Sequence, residues 1–551
     1  SITHRAGLIK KTMSTFDKIF RYHQSSKHSY HSFAPGPGYL DWDSQPYPFR
    51  RYEGAEAIPL KKFPLTEKPF FSEALQSSTI PATPLSFESI SQLLFDSLAI
   101  SAWKSFQGSK WALRVNPSSG NLHPTEGYLI CGPLEGLSQN PFISHYTPLS
   151  HGLEIRATLP IEKWTKMLAG LPPDTIFIGL SSIYWREAWK YGMRAFRYCH
   201  HDLGHALAAI NIACAGLGWR AVLMDQLGSN ELEMILGLTK KSDEEVEVPD
   251  CLMAVSPNEI LSDWNFEKQP FMDSFANLNW SGTPNILSKN HVLWSEIDEV
   301  SQNTRKPFTE TYPNFNSEAG SLSKLISDDY FSLRKAIHQR RSAVAMDGRT
   351  TIKRDTFYQF LIKTIPGACP LPFQTLPWEP NVHLGLFVHR VDELPGGLYF
   401  LVRNKNHIED LKSRLKPGFL WEKPEGCPAE LDLFFLEQGN FMGTSASVSC
   451  GQDIAKQGCF SLGMISAFEE PLKKQGSWFY PRLYWECGAI GQILYLQAEV
   501  SGIRSTGIGC FFDDPVHQVF GIQDMSYQSL YHFTVGGPVE DTRLTTLPAY
   551  A

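Results

Sequence analysis

Asp202-Leu203-Gly204…Gly218-Trp219-Arg220 recurs as Glu486-Cys487-Gly488…Gly502-Ile503-Arg504, at a constant offset of 284 residues. In both copies an acid, two glycines and an arginine keep their places. Apolar residues lie between the glycines at helical spacing, Ile210 and Ala213 against Leu494 and Gln497-Ala498. Gly218 and Gly502 stand where a helix C-cap is expected, so long buried helices are predicted over 197–217 and 483–502. A second echo sets His145-Tyr146…Gly152-Leu153-Glu154 against Leu398-Tyr399…His407-Ile408-Glu409. Two matches in the same order read as an internal duplication of about 220–250 residues per copy. A long buried helix present twice suggests a homodimer fused into one chain, in which each half can keep one set of site residues and lose the other.

The rest of the composition agrees with two large cores. At 551 residues the length suits about three to five domains or two large ones, and 42% hydrophobic against 19% charged residues is globular composition. A net charge of −7 argues against nucleic-acid binding through bulk charge. The 10 cysteines contain no CxxC pair, and several lie in apolar runs, as Cys214 does in 210–217; buried reduced thiols are expected. The longest small-and-apolar run, 206–219, is interrupted by Asn211 and is too short for a membrane span. The chain opens with Ser1, and its first 12 residues are basic with no acid: a trimmed targeting sequence, a cloning remnant or a natural extension. The expected compartment is cytoplasmic, or an organellar matrix if that segment is a targeting remnant.

Along the chain, Pro35-Gly36-Pro37-Gly38 marks a loop, 85–98 has helical spacing, and strand-like and helix-like segments alternate to Val255. From about 270 to 323 the composition shifts to Asn, Ser, Thr and Pro, and a new helix is expected at Asp328-Asp329. The predicted units are 14–270, an arm over 271–327, and 328–551.

Three segments carry chemistry. Arg114-Val115-Asn116-Pro117-Ser118-Ser119-Gly120-Asn121-Leu122-His123-Pro124-Thr125-Glu126 packs hydroxyls, an amide and a glycine turn between an arginine and an acid; such a loop can line a flat heteroaromatic ring or be a plain polar turn. Arg340-Arg341-Ser342 can hold a phosphate or be a solvated helix end. Gly507-Ile508-Gly509 lets the backbone come close to a ring edge, or begins a strand beside a core. The corresponding first-half stretches, His23-Gln24-Ser25-Ser26-Lys27 and Val222-Leu223-Met224-Asp225-Gln226, lack the arginine pair and the glycines.

Together, Pro117-Ser118-Ser119-Gly120-Asn121 with Pro124, the Arg-Arg-Ser start and the Gly-Ile-Gly segment resemble the FMN-dependent nitroreductase superfamily. Within it, the chain is similar to the SagB/thiazoline-oxidase-type dehydrogenases. Tyr22-His23…Lys27-His28-Ser29-Tyr30, Trp189-Lys190-Tyr191-Gly192…Arg197-Tyr198 and Gly507-Ile508-Gly509-Cys510-Phe511-Phe512-Asp513-Asp514 add to the match, which spans about 16–257 and 330–550. The resemblance implies an α+β fold: tandem nitroreductase-like domains forming an intramolecular pseudo-dimer, each a mainly antiparallel sheet wrapped by helices, the long helices central. It implies FMN at the interface. The second half would supply Arg340, Arg341, Ser342, Gly507, Ile508, Gly509 and a C-terminal basic residue, Arg543. The first would supply Pro117, Ser118, Ser119 and Asn121. The mirror site would need serines where Leu376-Pro377-Trp378-Glu379-Pro380-Asn381 stands, and arginines where Gln24-Ser25-Ser26 stands; it is expected to be empty.

In azoline oxidases of this family a Lys-Tyr pair takes a proton, which makes Lys190 and Tyr191 the catalytic candidates, with His123 as a further acid or base. An amine whose pKa falls on burial, beside a phenol, suits that role. The competing reading takes Arg186, Lys190, Arg194 and Arg197 as one solvated basic helix face. His200, His201, Asp202 and His205 lack the HExxH glutamate and a distant third ligand, so no metal is expected. P-loop, nucleophile-elbow and Rossmann fingerprints are absent. Two activities fit: dehydrogenation of a C–N or C–S heterocycle in a modified peptide with oxygen as acceptor, or NAD(P)H-driven reduction of a small quinone or nitroaromatic. A flavin-free scaffold subunit is the rival from another class.

Overall fold

The repeated stretch folds as two long helices, Ala195–Gly216 and Tyr480–Val500, both buried along nearly their whole length. Each is closed by its expected glycine in the left-handed region, Gly218 at φ +70 and Gly502 at φ +72. Behind these caps the amides of Trp219 and Ile503 return to the carbonyls of Cys214 and Ala498, at 2.9 and 3.0 Å. The helices cross at the other pair of repeated glycines. A Cβ on Gly204 would lie 2.3 Å from the Trp485 carbonyl oxygen, and one on Gly488 would lie 2.3 Å from that of His201. Only hydrogen fits between the two backbones there.

The computed structural model describes residues 13–76, 80–238, 244–259, 266–310 and 321–550; the basic first 12 residues and 311–320 of the predicted arm lie outside the described residues. Each half is built on one large antiparallel sheet. In the first, β1 (Glu56–Pro59), β2 (Thr125–Cys131), β3 (Phe142–Thr147), β4 (Gly152–Thr158), β5 (Ile176–Ile183), β6 (Arg220–Leu223) and β7 (Glu247–Ser256) pair in the order β1-β4-β3-β2-β5-β7-β6. In the second, β8 (Val382–Val388), β9 (Gly397–Leu401), β10 (Leu433–Gln438), β11 (Phe460–Ala467), β12 (Arg504–Ile508) and β13 (Tyr527–Gly536) pair as β10-β9-β8-β11-β13-β12. Apart from the added edge β1, the two orders are the same. The 284-residue offset that relates the long helices also relates β5 to β11, and the helix Ser229–Leu236 to Asp513–Phe520. The architecture is α+β, with two similar units in tandem facing each other across the long helices.

Two details differ from the sequence reading. His407-Ile408-Glu409 opens the helix Ile408–Arg414, whereas the strand of the second sheet equivalent to β4 is β10, so the second echo holds only for β3 against β9. The helix expected at Asp328-Asp329 is Leu333–Gln339, capped by the Ser332 hydroxyl on the Lys335 amide at 3.1 Å. Asp329 instead caps the approaching loop through the Phe331 amide at 3.2 Å.

The ends of the chain are exchanged between halves. The helix Thr15–Ser25 packs its Phe20 and His23 on Phe468 and Tyr480 of the second half. In return Thr545–Pro548 adds to the hairpin Ile100–Phe106/Ser109–Arg114 of the first, making a three-stranded sheet. The predicted arm crosses as well, its helix Ser295–Asn303 lying against Thr15–Ser25, with Arg21 bonded to Glu299 at 2.6 Å. Among the described residues, no helix is long and apolar enough to cross a membrane.

Because the crossing tolerates no added atom, Gly204→Ala and Gly488→Ala each lower the stability of the full chain by about 1–3 kcal/mol. Gly443→Ala, whose methyl meets nothing within 4 Å in the helix Met442–Val448, raises it slightly. Thermal and urea unfolding of the three variants distinguish the two behaviours.

Candidate functional site

A cleft of about 510 Å³ opens between the halves and is lined from both. The first half contributes Pro117, Ser118, Ser119, Gly120, Asn121 and His123, with Tyr191 and Asp202. The second contributes Arg340, Arg341, Ser342, Gly507, Ile508, Gly509 and Cys510. Two candidates lie outside this lining. Lys190 stands 5.3 Å from the centre of the Tyr191 ring. Arg543 is solvent-exposed and held in a two-nitrogen pair with Asp541, at 2.8 and 2.9 Å.

The Pro117-Ser118-Ser119-Gly120-Asn121 loop is shaped by Asp202. Ser118 Oγ donates to this carboxylate at 2.7 Å, and Ser119 donates through both its amide and its hydroxyl at 3.0 and 3.1 Å. The serine hydroxyls therefore hold the loop rather than stand free in the cleft. Gly120 at φ +61 and Asn121 at φ +57 make the turn left-handed. Gly120 must lack a Cβ, because the Tyr191 hydroxyl would lie 2.5 Å from it. Asn121 is fixed by Nδ2 on the Ala112 carbonyl at 2.8 Å and accepts from His123 Nε2 at 2.6 Å. That bond leaves His123 Nδ1 as a buried acceptor without a partner. Burial, helped by the charges of Arg114 and Arg186, keeps this histidine neutral.

Glu187 sits beneath the loop, fully buried, with the Ser118 hydroxyl 3.3 Å away and Asp202 beside it. Burial and then the Asp202 charge push the Glu187 carboxyl well above its usual range; burial lifts Asp202 to about 6. The pair thus holds a proton at neutral pH. Tyr191, raised first by burial and then by Glu187, keeps its phenolic proton.

On the other side, Arg340 follows the helix Leu333–Gln339 and is buried. Its Nη2 donates to the Arg114 carbonyl at 3.0 Å, and its guanidinium carbon lies 4.8 Å from the centre of the Tyr495 ring. Its Nε and Nη1 have no partner. Arg341 folds back on the carbonyls of His338 and Arg340 at 2.9 and 2.7 Å. Burial and the neighbouring Arg340 charge lower its pKa only to about 10, so it stays protonated. Tyr495 ties this corner together, its hydroxyl 2.9 Å from Ser342 Oγ and accepting the Gly507 amide at 3.0 Å. The two glycines of β12 and its end make room for tyrosine rings: a Cβ on Gly507 would strike the Tyr531 hydroxyl, and one on Gly509 would lie 2.6 Å from Tyr198.

The basic helix face resolves differently from the solvated reading. Arg186, Arg194 and Arg197 are all buried. Arg186 pairs with Glu126. Arg194 and Arg197 share Asp513 of the second half at 3.0 and 2.7 Å. Burial alone would raise the Asp513 carboxyl, but Arg197 and Arg194 outweigh it and hold it far below the carboxylate range. The histidines 200, 201 and 205 are likewise engaged by protein: His200 accepts from Trp485 Nε1 at 3.0 Å, His201 donates to the Leu530 carbonyl at 2.6 Å, and His205 lies 2.9 Å from Gln492 Oε1.

At the mirror position protein groups occupy the counterpart of the Asp202 carboxylate. Glu486, the counterpart of Asp202, accepts from Asn381 and Val382 amides at 3.1 Å and pairs with Arg403 at 2.6 Å. Trp378 is buried beside it, and Thr375, whose hydroxyl donates to Asn211 Oδ1, stands 3.4 Å from the Ala221 carbonyl of β6, the counterpart of β12. Ser26 and the His23 carbonyl, set against the Arg-Arg-Ser segment, are taken by Arg197 at 2.9 and 2.8 Å.

No family model matches the chain. A Methanocaldococcus jannaschii protein provisionally named nitroreductase MJ1384 is 24% identical over 161 residues, which cover 28% of this chain and 76% of that protein. The crystal structure of a provisionally named nitroreductase from Anabaena variabilis is 22% identical and superposes with a TM-score of 0.67 over 95% of this chain and 99% of its own. An E. coli microcin synthetase McbBCD complex chain, with truncated pro-MccB17 bound, overlaps 44% of this chain and 93% of its own at 18% identity; its TM-score of 0.27 is too low to carry an argument. The fold is nitroreductase-like.

The buried Glu187–Asp202 pair leaves a mark on stability. Both carboxyls are raised in the folded state, so their contribution is full below the unfolded carboxyl range; the Asp202 share is lost as pH rises through about 6, and the Glu187 share, raised further by burial and the Asp202 charge, is lost above that. In urea unfolding Glu187→Gln, which stays neutral, therefore gains stability relative to wild type as pH rises above the unfolded carboxyl range. Parallel pH curves for the two proteins contradict the shared proton.

Proposed function

We propose that this chain is an FMN-dependent oxidoreductase of the SagB/thiazoline-oxidase type, with one composite site. The observation that carries the reading is Arg340, a buried guanidinium with two donors unpartnered at the wall of a cleft built from both halves. A buried charge left in that state is costly unless an anion completes it. The residues present fit FMN: Arg340, Arg341 and Ser342 suit its phosphate, while Pro117, Ser118, Ser119 and Asn121 opposite Gly507, Ile508 and Gly509 suit its ring. Bound FMN supplies the two-electron chemistry, taking or giving hydride at N5.

The chain's own residues supply proton handling and shape. Tyr191 stands in the cleft with its phenolic proton retained, and is the group placed to give or relay a proton to a substrate. Lys190 acts on that step through Tyr191, whose ring it flanks at 5.3 Å. His123, neutral with Nδ1 bare, is a second acceptor. The Glu187–Asp202 pair positions the loop and keeps a proton beneath it. This arrangement favours dehydrogenation of a C–N or C–S heterocycle in a modified peptide, with oxygen as acceptor, over NAD(P)H-driven reduction of a small quinone or nitroaromatic. Arg543, tied to Asp541, is left out of the phosphate contacts.

The test is the visible spectrum of the purified protein with released flavin quantified. About one FMN per chain is expected. Two would overturn the asymmetry, and none after soaking with FMN would make the chain a scaffold. Arg340→Ala weakens FMN about 10- to 100-fold in equilibrium dialysis, the cost of a charge-assisted hydrogen bond. Tyr191→Phe keeps the flavin and lowers turnover about 100-fold or more.

A further inference from the structure

Cys510 and Cys450 come from different segments of the second half, and their sulfurs lie 2.8 Å apart. Both are partly exposed, unlike most of the cysteines, which are buried. Cys510 lines the cleft; Cys450 stands behind it. The two segments are tied in register. Gln452 Nε2 donates to the carbonyl of Ser449 at 2.8 Å and to that of Cys510 at 3.1 Å, and the Phe512 amide donates to the Val448 carbonyl at 2.8 Å. Arg194 of the first half clamps the Cys510 segment from the other side, on the Gly509 carbonyl at 3.0 Å. Cys450 is held at φ +57, in the left-handed region.

The surroundings favour a thiolate on one sulfur of the two. His28 accepts the Ala34 amide on Nδ1 at 2.9 Å, so its other nitrogen carries the proton and hydrogen-bonds Cys510. The Cys510 thiol is lowered by its hydrogen-bond contact with Cys450, against burial, and then by His28 and Arg194. Cys450 is pushed the opposite way, first by the same contact and then by burial. A lowered thiol in an electropositive, accessible position is the reactive kind.

We propose that Cys510 and Cys450 form a dithiol–disulfide redox pair in the cleft wall, with Cys510 as the attacking sulfur and Cys450 as the resolving one. The oxidant class is a low-molecular-weight disulfide able to enter the cleft. Cys510 thiolate attacks one sulfur of that disulfide, forming a mixed disulfide and releasing one thiolate. Cys450, giving up its proton, then attacks Cys510 Sγ and expels the second thiol. The protein loses two hydrogens, and the small disulfide is reduced to two thiols. This pair does not depend on the flavin reading.

The experiment treats the purified full-length chain with oxidised glutathione, blocks remaining thiols, and measures intact mass and the peptide map. Wild type is expected to lose two free thiols and yield a Cys450–Cys510 cross-linked peptide. Cys450→Ser is expected to retain a glutathione adduct on Cys510, and Cys510→Ser to carry none on Cys450. Thermal melting of both variants confirms that they fold; the wild-type map decides the matter even if one does not. Retention of both thiols in wild type, or a cross-link between other cysteines, overturns the pair. An adduct on Cys450 in Cys510→Ser with none on Cys510 in Cys450→Ser overturns the assigned order of attack.

Discussion

The contact between Gly204 and Gly488 sets the spacing of everything else. Helix backbones usually stand 8–10 Å apart because side chains separate them; here the carbonyls of Trp485 and His201 lie where a Cβ would be. That approach brings the first-half helix close enough for His201 to reach the Leu530 carbonyl and His205 to reach Gln492 and Tyr531 across the interface. It also fixes how far the Asp202 loop stands from the strand bearing Gly507. A cleft shared by two halves needs such a rigid gauge, since neither half alone defines its width.

Around that gauge, equivalent positions have taken opposite roles. Asp202 and Glu486 occupy the same place in the repeat, and each accepts hydrogen bonds from a loop of its own half. Asp202 holds a loop that leaves open space above it. Glu486 holds one closed by Trp378, with Arg403 neutralising its charge. The arginines divide in the same way. Arg194 and Arg197 are fully used on Asp513 and the Ser26 turn, whereas Arg340 keeps two donors in reserve.

Much of this was legible in the residues. Strict helical spacing between glycines, repeated at one offset, announced the long helices and the duplication. Every element from β5 to the helix Ser229–Leu236 obeys that offset because no insertion interrupts it. The Pro-Ser-Ser-Gly-Asn, Arg-Arg-Ser and Gly-Ile-Gly segments line one cleft. What the sequence hid are pairings made across the halves. A row of arginines at helical spacing looks solvated until Asp513, more than three hundred residues away, is seen beside it. That Asp202 binds Ser118 and Ser119 is likewise hidden, because nothing local in the loop indicates a carboxylate 84 and 83 residues further on. Lys190 and Tyr191 are neighbours in the chain, yet only Tyr191 reaches the cleft, since successive helical residues point in different directions. The His407 echo failed because similar letters recur in an inserted helix.

The exchanged ends of the chain have a consequence for its birth. Ile100 donates its amide to Tyr550, a residue 450 positions later, next to the strand that completes the Ile100–Arg114 hairpin sheet. Lys104, Trp111 and Arg114 on that hairpin line the cleft. During vectorial synthesis the first half can collapse early, but this wall waits, with one sheet edge open, until residues 545–550 have emerged. The finished cleft therefore reports that translation has run through residue 550, and a nascent chain stopped short presents an unpaired edge that a chaperone or protease can read.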